Sequence, residues 1–63
     1  MTDQLLYKPE DGARIIGIGR SKMFELMSTG EIESVQIGRS RRVPRQALED
    51  FVARLRSDTR EAS

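Results

Sequence analysis

The chain of 63 residues contains no cysteine and no histidine. It therefore cannot form a disulfide, and it lacks the two side chains that hold most structural zinc ions, so we expect no metal site. Histidine is also the commonest general base, and no serine or tyrosine has an evident activating partner. The sequence thus predicts no catalytic residue, no cofactor and no enzymatic activity.

Long apolar runs are also missing from the sequence. No segment approaches the length of a membrane-spanning helix. The first four residues lack the basic and apolar regions of a signal peptide. Together with the absence of cysteine, these features favour a cytoplasmic protein with no membrane partner.

Acidic residues are absent from two stretches, residues 16–24 and 34–46, which hold six of the eleven basic residues. The remaining chain holds five basic and ten acidic residues, a net charge of −5, although the whole chain carries only +1. Such asymmetry is typical of a nucleic-acid-binding face, and the alternative is a pair of solvated surface loops.

Helix signals divide the first half of the chain into two helices joined by a tight turn. Pro9 suits the start of the first helix, and Gly17 suits its left-handed C-terminal position. Gly19 or Arg20 opens the second helix, and Gly30 ends it. The apolar stripe of this second helix consists of Met23, Leu26 and Met27.

A hairpin is predicted next, because residues 35–37 alternate apolar, polar, apolar and residues 38–40 fit a turn. Residues 41–43 can return antiparallel, and Pro44 ends the hairpin because it cannot donate to a ladder. Near the N-terminus, residues 5–7 fit either a short strand or an extended lead-in.

In the last third of the chain, apolar residues again recur at the spacing of an α-helix. The apolar stripe of the third helix consists of Leu48, Phe51, Val52 and Leu55. We expect this stripe to be used by the core, which leaves no helix for a dimer in solution. The predicted domain spans residues 1–57, and residues 58–63 are predicted to form a flexible tail because they are almost entirely polar.

Two helices joined by a short turn that contains glycine form the helix-turn-helix signature, and the hairpin adds a wing. From Leu6 to Leu55 the sequence resembles the small, MerR-like winged helix-turn-helix domains of the excisionase family. The resemblance is carried by residues 18–24, 30–32 and 35–39, and most specifically by the basic segment RRVPRQALEDF at residues 41–51. It implies a small α+β single domain with three helices and a two-stranded hairpin wing. Gly12 and Gly19 depart from the family pattern, in which a helix former and a hydroxyl cap are more usual.

The family resemblance implies a recombination directionality factor. Such a protein binds and bends double-stranded attachment-site DNA and helps a site-specific integrase to excise a phage or an integrative element. The chain ends soon after the third helix, so we expect no effector domain and a monomer that binds direct repeats cooperatively with neighbouring copies of itself. The alternatives are a small transcriptional regulator of the same fold and a protein-interaction adaptor that does not bind DNA.

The start of the second helix carries the residues expected to read the DNA major groove. Arg20, Ser21 and Lys22 suit base edges or phosphate, and we rank Lys22 and Ser21 above Arg20 as base readers. Phe24 could cover a phosphate or a thymine methyl group, or be partly buried. Glu25 could accept from a cytosine amino group, although a solvated charge is the favoured interpretation.

The wing carries the other expected DNA contacts. Arg39, Ser40, Arg41 and Arg42 crowd the hairpin. Successive strand residues point to opposite faces, so Arg41 and Arg42 cannot both enter one groove, and one is expected to contact phosphate. Arg45 lies at a helix start, where the dipole disfavours a cation and a phosphate contact would explain it. The alternative for all of these residues is a role in solubility.

Overall fold

A computed structural model describes the backbone of residues 4–62 and the side chains of residues 4–58. In chain order, its elements are β1 (Leu6–Tyr7), α1 (Pro9–Ile16), α2 (Arg20–Thr29), β2 (Val35–Ile37), β3 (Ser40–Pro44) and α3 (Arg45–Ala62). The predicted order of helix, turn, helix, hairpin and helix is confirmed. The fold is therefore a winged helix-turn-helix, while the MerR-like subtype stays a prediction.

The turn between α1 and α2 is fixed by glycine. Gly17 has a φ of 78°, in the left-handed region, and its N–H donates to carbonyl groups of the last turn of α1. The N–H of Ile18 also donates to the carbonyl of Ala13, at 2.9 Å. Gly19 is extended and caps α2, which begins at Arg20. The chain therefore reverses within three residues and packs α2 against α1.

Among the residues whose side chains are described, ten buried apolar residues form one core beneath the helices and the sheet: Tyr7, Ala13, Met23, Leu26, Met27, Ile32, Val43, Ala47, Leu48 and Phe51. Gly12, which departs from the family pattern, lies against this core. A β-carbon at Gly12 would lie 3.4 Å from Cε of Met23 and 3.6 Å from the δ-carbons of Leu48. These are ordinary van der Waals distances, so Gly12 packs against α2 and α3 at a position where an alanine would also fit.

Among the described residues the sheet has three strands in the order β1-β3-β2: the predicted two-stranded wing is the hairpin of β2 and β3, and β1 adds a third strand beside β3. Leu6 and Tyr7 pair antiparallel with Pro44 and Val43. The N–H of Arg45 donates to the carbonyl of Leu5, at 2.8 Å, and extends this pairing. Of the two structures that fit residues 5–7, the strand is the one that forms. It anchors the base of the wing to the N-terminal segment.

The third helix buries only half of its apolar stripe. Leu48 and Phe51 are buried, but Val52 is 38% exposed and Leu55 is 48% exposed, so the expectation that the core uses the whole stripe was wrong. An 18-residue helix is about 27 Å long and extends beyond so small a core. Its backbone is helical to Ala62, past the predicted domain end at residue 57.

Within residues 4–62, no helix combines the length and the apolar character that a membrane span requires.

Candidate nucleic-acid interface

The exposed face of α2 is set by the residues that the helix buries. Met23, Leu26 and Met27 face the core, at spacings of three and four residues. The rest of the helix surface carries the five predicted residues Arg20, Ser21, Lys22, Phe24 and Glu25, all of which are exposed. All five predicted residues are therefore accessible to solvent, at and after the N-terminus of α2.

Arg20 contacts two residues of this region. Its Nε lies 3.6 Å from Oε2 of Glu10, which belongs to α1. Its guanidinium carbon lies 5.2 Å from the centroid of the Phe24 ring, one turn further along α2. This distance is within the range of a cation–π contact. Phe24 is thus outside the core, 40% exposed, and supports a cation.

Lys22 also has a carboxylate partner. Its Nζ lies 3.3 Å from Oε2 of Glu25, in an i,i+3 pair on the surface of α2. Glu25 is therefore an exposed charge, but it is not an isolated one. The hydroxyl of Ser21 has no partner among the described residues.

The wing is the hairpin of β2 and β3. Gln36 pairs with Arg41, and Ile37 pairs with Ser40. At the turn, Gly38 has a φ of 62°, and the side chain of Gln36 donates to its carbonyl at 3.2 Å. The turn therefore holds the tip of the wing in a defined conformation away from the core.

Basic side chains of the wing have neutral partners or none. Arg39 has no partner among the described residues. Nη1 of Arg41 donates to the hydroxyl of Ser34, at 2.8 Å, and Nη1 of Arg42 donates to the carbonyl of Arg41, at 3.0 Å. No carboxylate of the described chain pairs with any of these three arginines. The wing is therefore a concentrated, uncompensated positive charge.

Arg45 is separated from the other wing residues. Its Nε lies 3.5 Å from Oε2 of Glu49, one turn along α3. It also lines an open groove of about 860 Å³ between α1 and α3, together with Ile15 and Val52. The Glu49 carboxylate offsets the unfavourable dipole at this position without a phosphate. A DNA contact by Arg45 stays a prediction.

Sequence reasoning missed two residues of this surface, Glu10 and Ser34. The sequence marks Glu10 only as a helix-start acid, yet the tight turn brings it to Arg20, ten residues away in sequence. Ser34 lies two residues before Gln36, the cross-strand partner of Arg41, and its hydroxyl accepts a hydrogen bond from Arg41. The hairpin register, read from the alternation of β2 and the turn, would have placed Ser34 near β3. No comparable signal pointed to Glu10.

The described residues contain no group of histidine, cysteine, aspartate and glutamate side chains that could hold a metal ion. The features that the surface does offer are positive charge, an exposed helix N-terminus and hydrogen-bond donors. These are the groups that contact phosphates and base edges in protein–DNA complexes.

Comparison with known proteins agrees with this geometry. Residues 6–56 match the family model described as a helix-turn-helix domain. A probable excisionase from Saccharopolyspora erythraea is 47% identical over 55 residues, which cover 87% of this chain and 56% of that protein. An excisionase from Streptomyces ambofaciens is 42% identical over 52 residues, which cover 82% of each chain. No solved structure matches.

The fold and the surface thus define a winged helix-turn-helix protein. With these relatives, the chain belongs to the excisionase family of helix-turn-helix proteins. The matched segment spans little more than half of the Saccharopolyspora erythraea protein.

Proposed function

We propose that this protein is a non-catalytic excisionase that binds double-stranded attachment-site DNA and promotes integrase-mediated excision of a phage or integrative element. The N-terminus of α2 enters the major groove, and the wing contacts the adjacent backbone or minor groove. The observation that carries the proposal is the wing of Arg39, Arg41 and Arg42, which have no carboxylate partner among the described residues, in a helix-turn-helix chain of the excisionase family.

Charge supports backbone binding by the wing. Uncompensated arginines attract phosphates and release counterions from DNA, which gives affinity that depends little on sequence and strongly on salt. The N-terminus of α2 adds the partial positive charge of the helix dipole. We expect the two elements together to contact one groove and its neighbouring backbone.

A single module of this size buries only about 600–1,000 Å² on DNA. Its affinity alone is therefore expected to be low, and several copies would bind direct repeats cooperatively. Head-to-tail contacts generate an open array rather than a closed dimer. An array of basic surfaces along one side of the duplex would bend it toward the protein. Bent DNA would in turn bring the integrase sites together, in the bacterial cytoplasm where the element resides.

The decisive experiment reconstitutes excision on a plasmid that carries the two attachment sites of the element, with its integrase present and with or without this protein. We expect excision only when the protein is added, with footprints on direct repeats and a monomer by sedimentation before DNA is added. A stable free dimer that protects one palindrome and leaves excision unchanged would indicate a transcriptional regulator. Absence of salt-sensitive DNA binding would indicate a protein-interaction adaptor.

A further inference from the structure

Glu10 and Phe24 hold the guanidinium group of Arg20 between two helices. Glu10 lies on α1 and pairs with Nε at 3.6 Å, while the Phe24 ring lies 5.2 Å from the guanidinium carbon. We propose that Glu10 is a positioning residue that orients Arg20 to read a guanine in the major groove. The inference rests on the proposed function, in which the N-terminus of α2 enters that groove.

The geometry of the pair leaves the reading end of Arg20 available. The carboxylate of Glu10 lies next to Nε. In the described part of the chain, the two terminal Nη nitrogens donate no hydrogen bond. Guanine presents O6 and N7 side by side in the major groove, and an arginine recognises them with two parallel N–H donors. The side chain is therefore supported at its inner edge and open at its outer edge.

Stability alone does not account for the Glu10–Arg20 pair. The two side chains are 47% and 70% exposed, and ion pairs in such positions contribute little to folding. The contact between α1 and α2 already has the buried Met23 beneath Gly12. A carboxylate next to a DNA-binding surface also repels phosphate. Orientation of Arg20 is the benefit that offsets this repulsion.

Orientation has value because arginine is otherwise a mobile side chain. Each rotamer-rich side chain that is fixed at an interface loses conformational entropy on binding. A guanidinium that contacts a ring on one side and a carboxylate on another loses less conformational entropy on binding. Its N–H donors are also fixed in direction, so they cannot turn to bond with a different base. The pair therefore increases discrimination between bases more than it increases affinity.

Asp11 supplies a matched control for Glu10. Both acids lie in the first turn of α1, but Asp11 pairs with Arg14 of the same helix, at 3.2 Å, and not with α2. Glu10→Gln and Asp11→Asn thus remove the same charge from the same turn. Only Glu10→Gln removes the support of Arg20.

The test selects binding sites for the wild-type protein from a pool of duplexes with a randomised core. Affinity is then measured on the selected duplex and on versions with each guanine replaced. We expect Glu10→Gln to lower discrimination at one guanine by about three- to tenfold, and Asp11→Asn to leave it unchanged. Phe24→Leu should lower discrimination at the same guanine, because it removes the ring support and keeps an apolar side chain.

A double-mutant cycle completes the test. Arg20→Ala should abolish preference for that guanine, and Glu10→Gln should then have no further effect on discrimination. Equal changes on all duplexes for Glu10→Gln and Asp11→Asn would overturn the proposal and reduce Glu10 to a surface charge. So would a uniform decrease in affinity for Arg20→Ala with a lower salt slope, because Arg20 would then contact phosphate. Failure of the wild-type protein to select any sequence would instead contradict the proposed function.

Discussion

The two basic surfaces of the protein differ in what lies next to their charges. At the start of α2, Arg20 and Lys22 each have a carboxylate within 3.6 Å. In the wing, Arg39, Arg41 and Arg42 have no carboxylate partner among the described residues. One surface is therefore nearly balanced in charge and held in defined geometry, and the other is strongly positive.

We expect the two surfaces to have different roles in DNA binding. Attraction to phosphate needs charge but little geometry, because the backbone is the same at every base pair. Base recognition needs geometry, and excess charge there would favour every sequence equally. The wing is thus suited to affinity and the start of α2 to sequence preference. Each of the following substitutions tests one side of this contrast.

The largest effect is expected at the start of α2. Ser21→Ala or Lys22→Ala at a base-reading position should weaken binding to the selected duplex by about 1–3 kcal/mol and relax preference at one base pair. The measurement is the affinity for the selected duplex and for single-base variants of it. If both substitutions weaken binding to all sequences by the same factor, these two residues contact phosphate and the two surfaces no longer differ in role.

A smaller, sequence-independent effect is expected in the wing. Arg41→Ala or Arg42→Ala should weaken binding to the selected duplex and to unrelated DNA alike. The slope of log affinity against log salt should fall by about 0.9 for each phosphate that the variant no longer neutralises. Arg56→Ala on α3 is the control, because it removes the same charge next to the groove between α1 and α3. Unchanged affinity and slope in the wing variants would show that the wing is off the DNA.

Local signals in the sequence were enough to predict the helix-turn-helix. Gly17 and Gly30 end the two helices, and both have the positive φ that favours glycine. The alternation of Val35–Ile37 likewise predicted the wing. Each of these signals depends on residues that are close together in the chain, so it can be recognised in the sequence alone.

Features that depend on distant residues were not predictable in the same way. The pairing of Leu6 with Pro44 joins segments that are far apart in sequence, and a strand of two residues has too short a pattern to be recognised. The spacing of Val52 and Leu55 is correct for a buried stripe, but the core ends at Phe51. Contacts made across the turn, such as Glu10 with Arg20, depend on the angle between helices, which no local pattern fixes.

Affinity for DNA is expected to rise when an acidic residue is removed from the start of α2. Glu25→Gln should strengthen binding to all DNA by roughly 0.5 kcal/mol, because it removes a repelling charge and releases Lys22. Asp11→Asn is the matched control, since Asp11 pairs with Arg14 in an i,i+3 pair on α1, outside α2 and the wing. If Glu25→Gln instead weakens binding only to duplexes that carry one particular base pair, Glu25 itself accepts a hydrogen bond from a base.

The smallest effect is expected at Ser34, which supplies the neutral partner of Arg41. Its hydroxyl accepts from Nη1 at 2.8 Å, and both side chains are accessible to solvent. Ser34→Ala frees Arg41 but leaves its charge in place, so affinity for any duplex should change by less than about twofold. The salt slope should stay the same, because the number of neutralised phosphates does not change. A salt-titration series with Ser34→Ala beside Arg41→Ala separates the two contributions. Weaker sequence preference in Ser34→Ala would show that the wing also depends on an oriented arginine, and the two surfaces would then use the same mechanism.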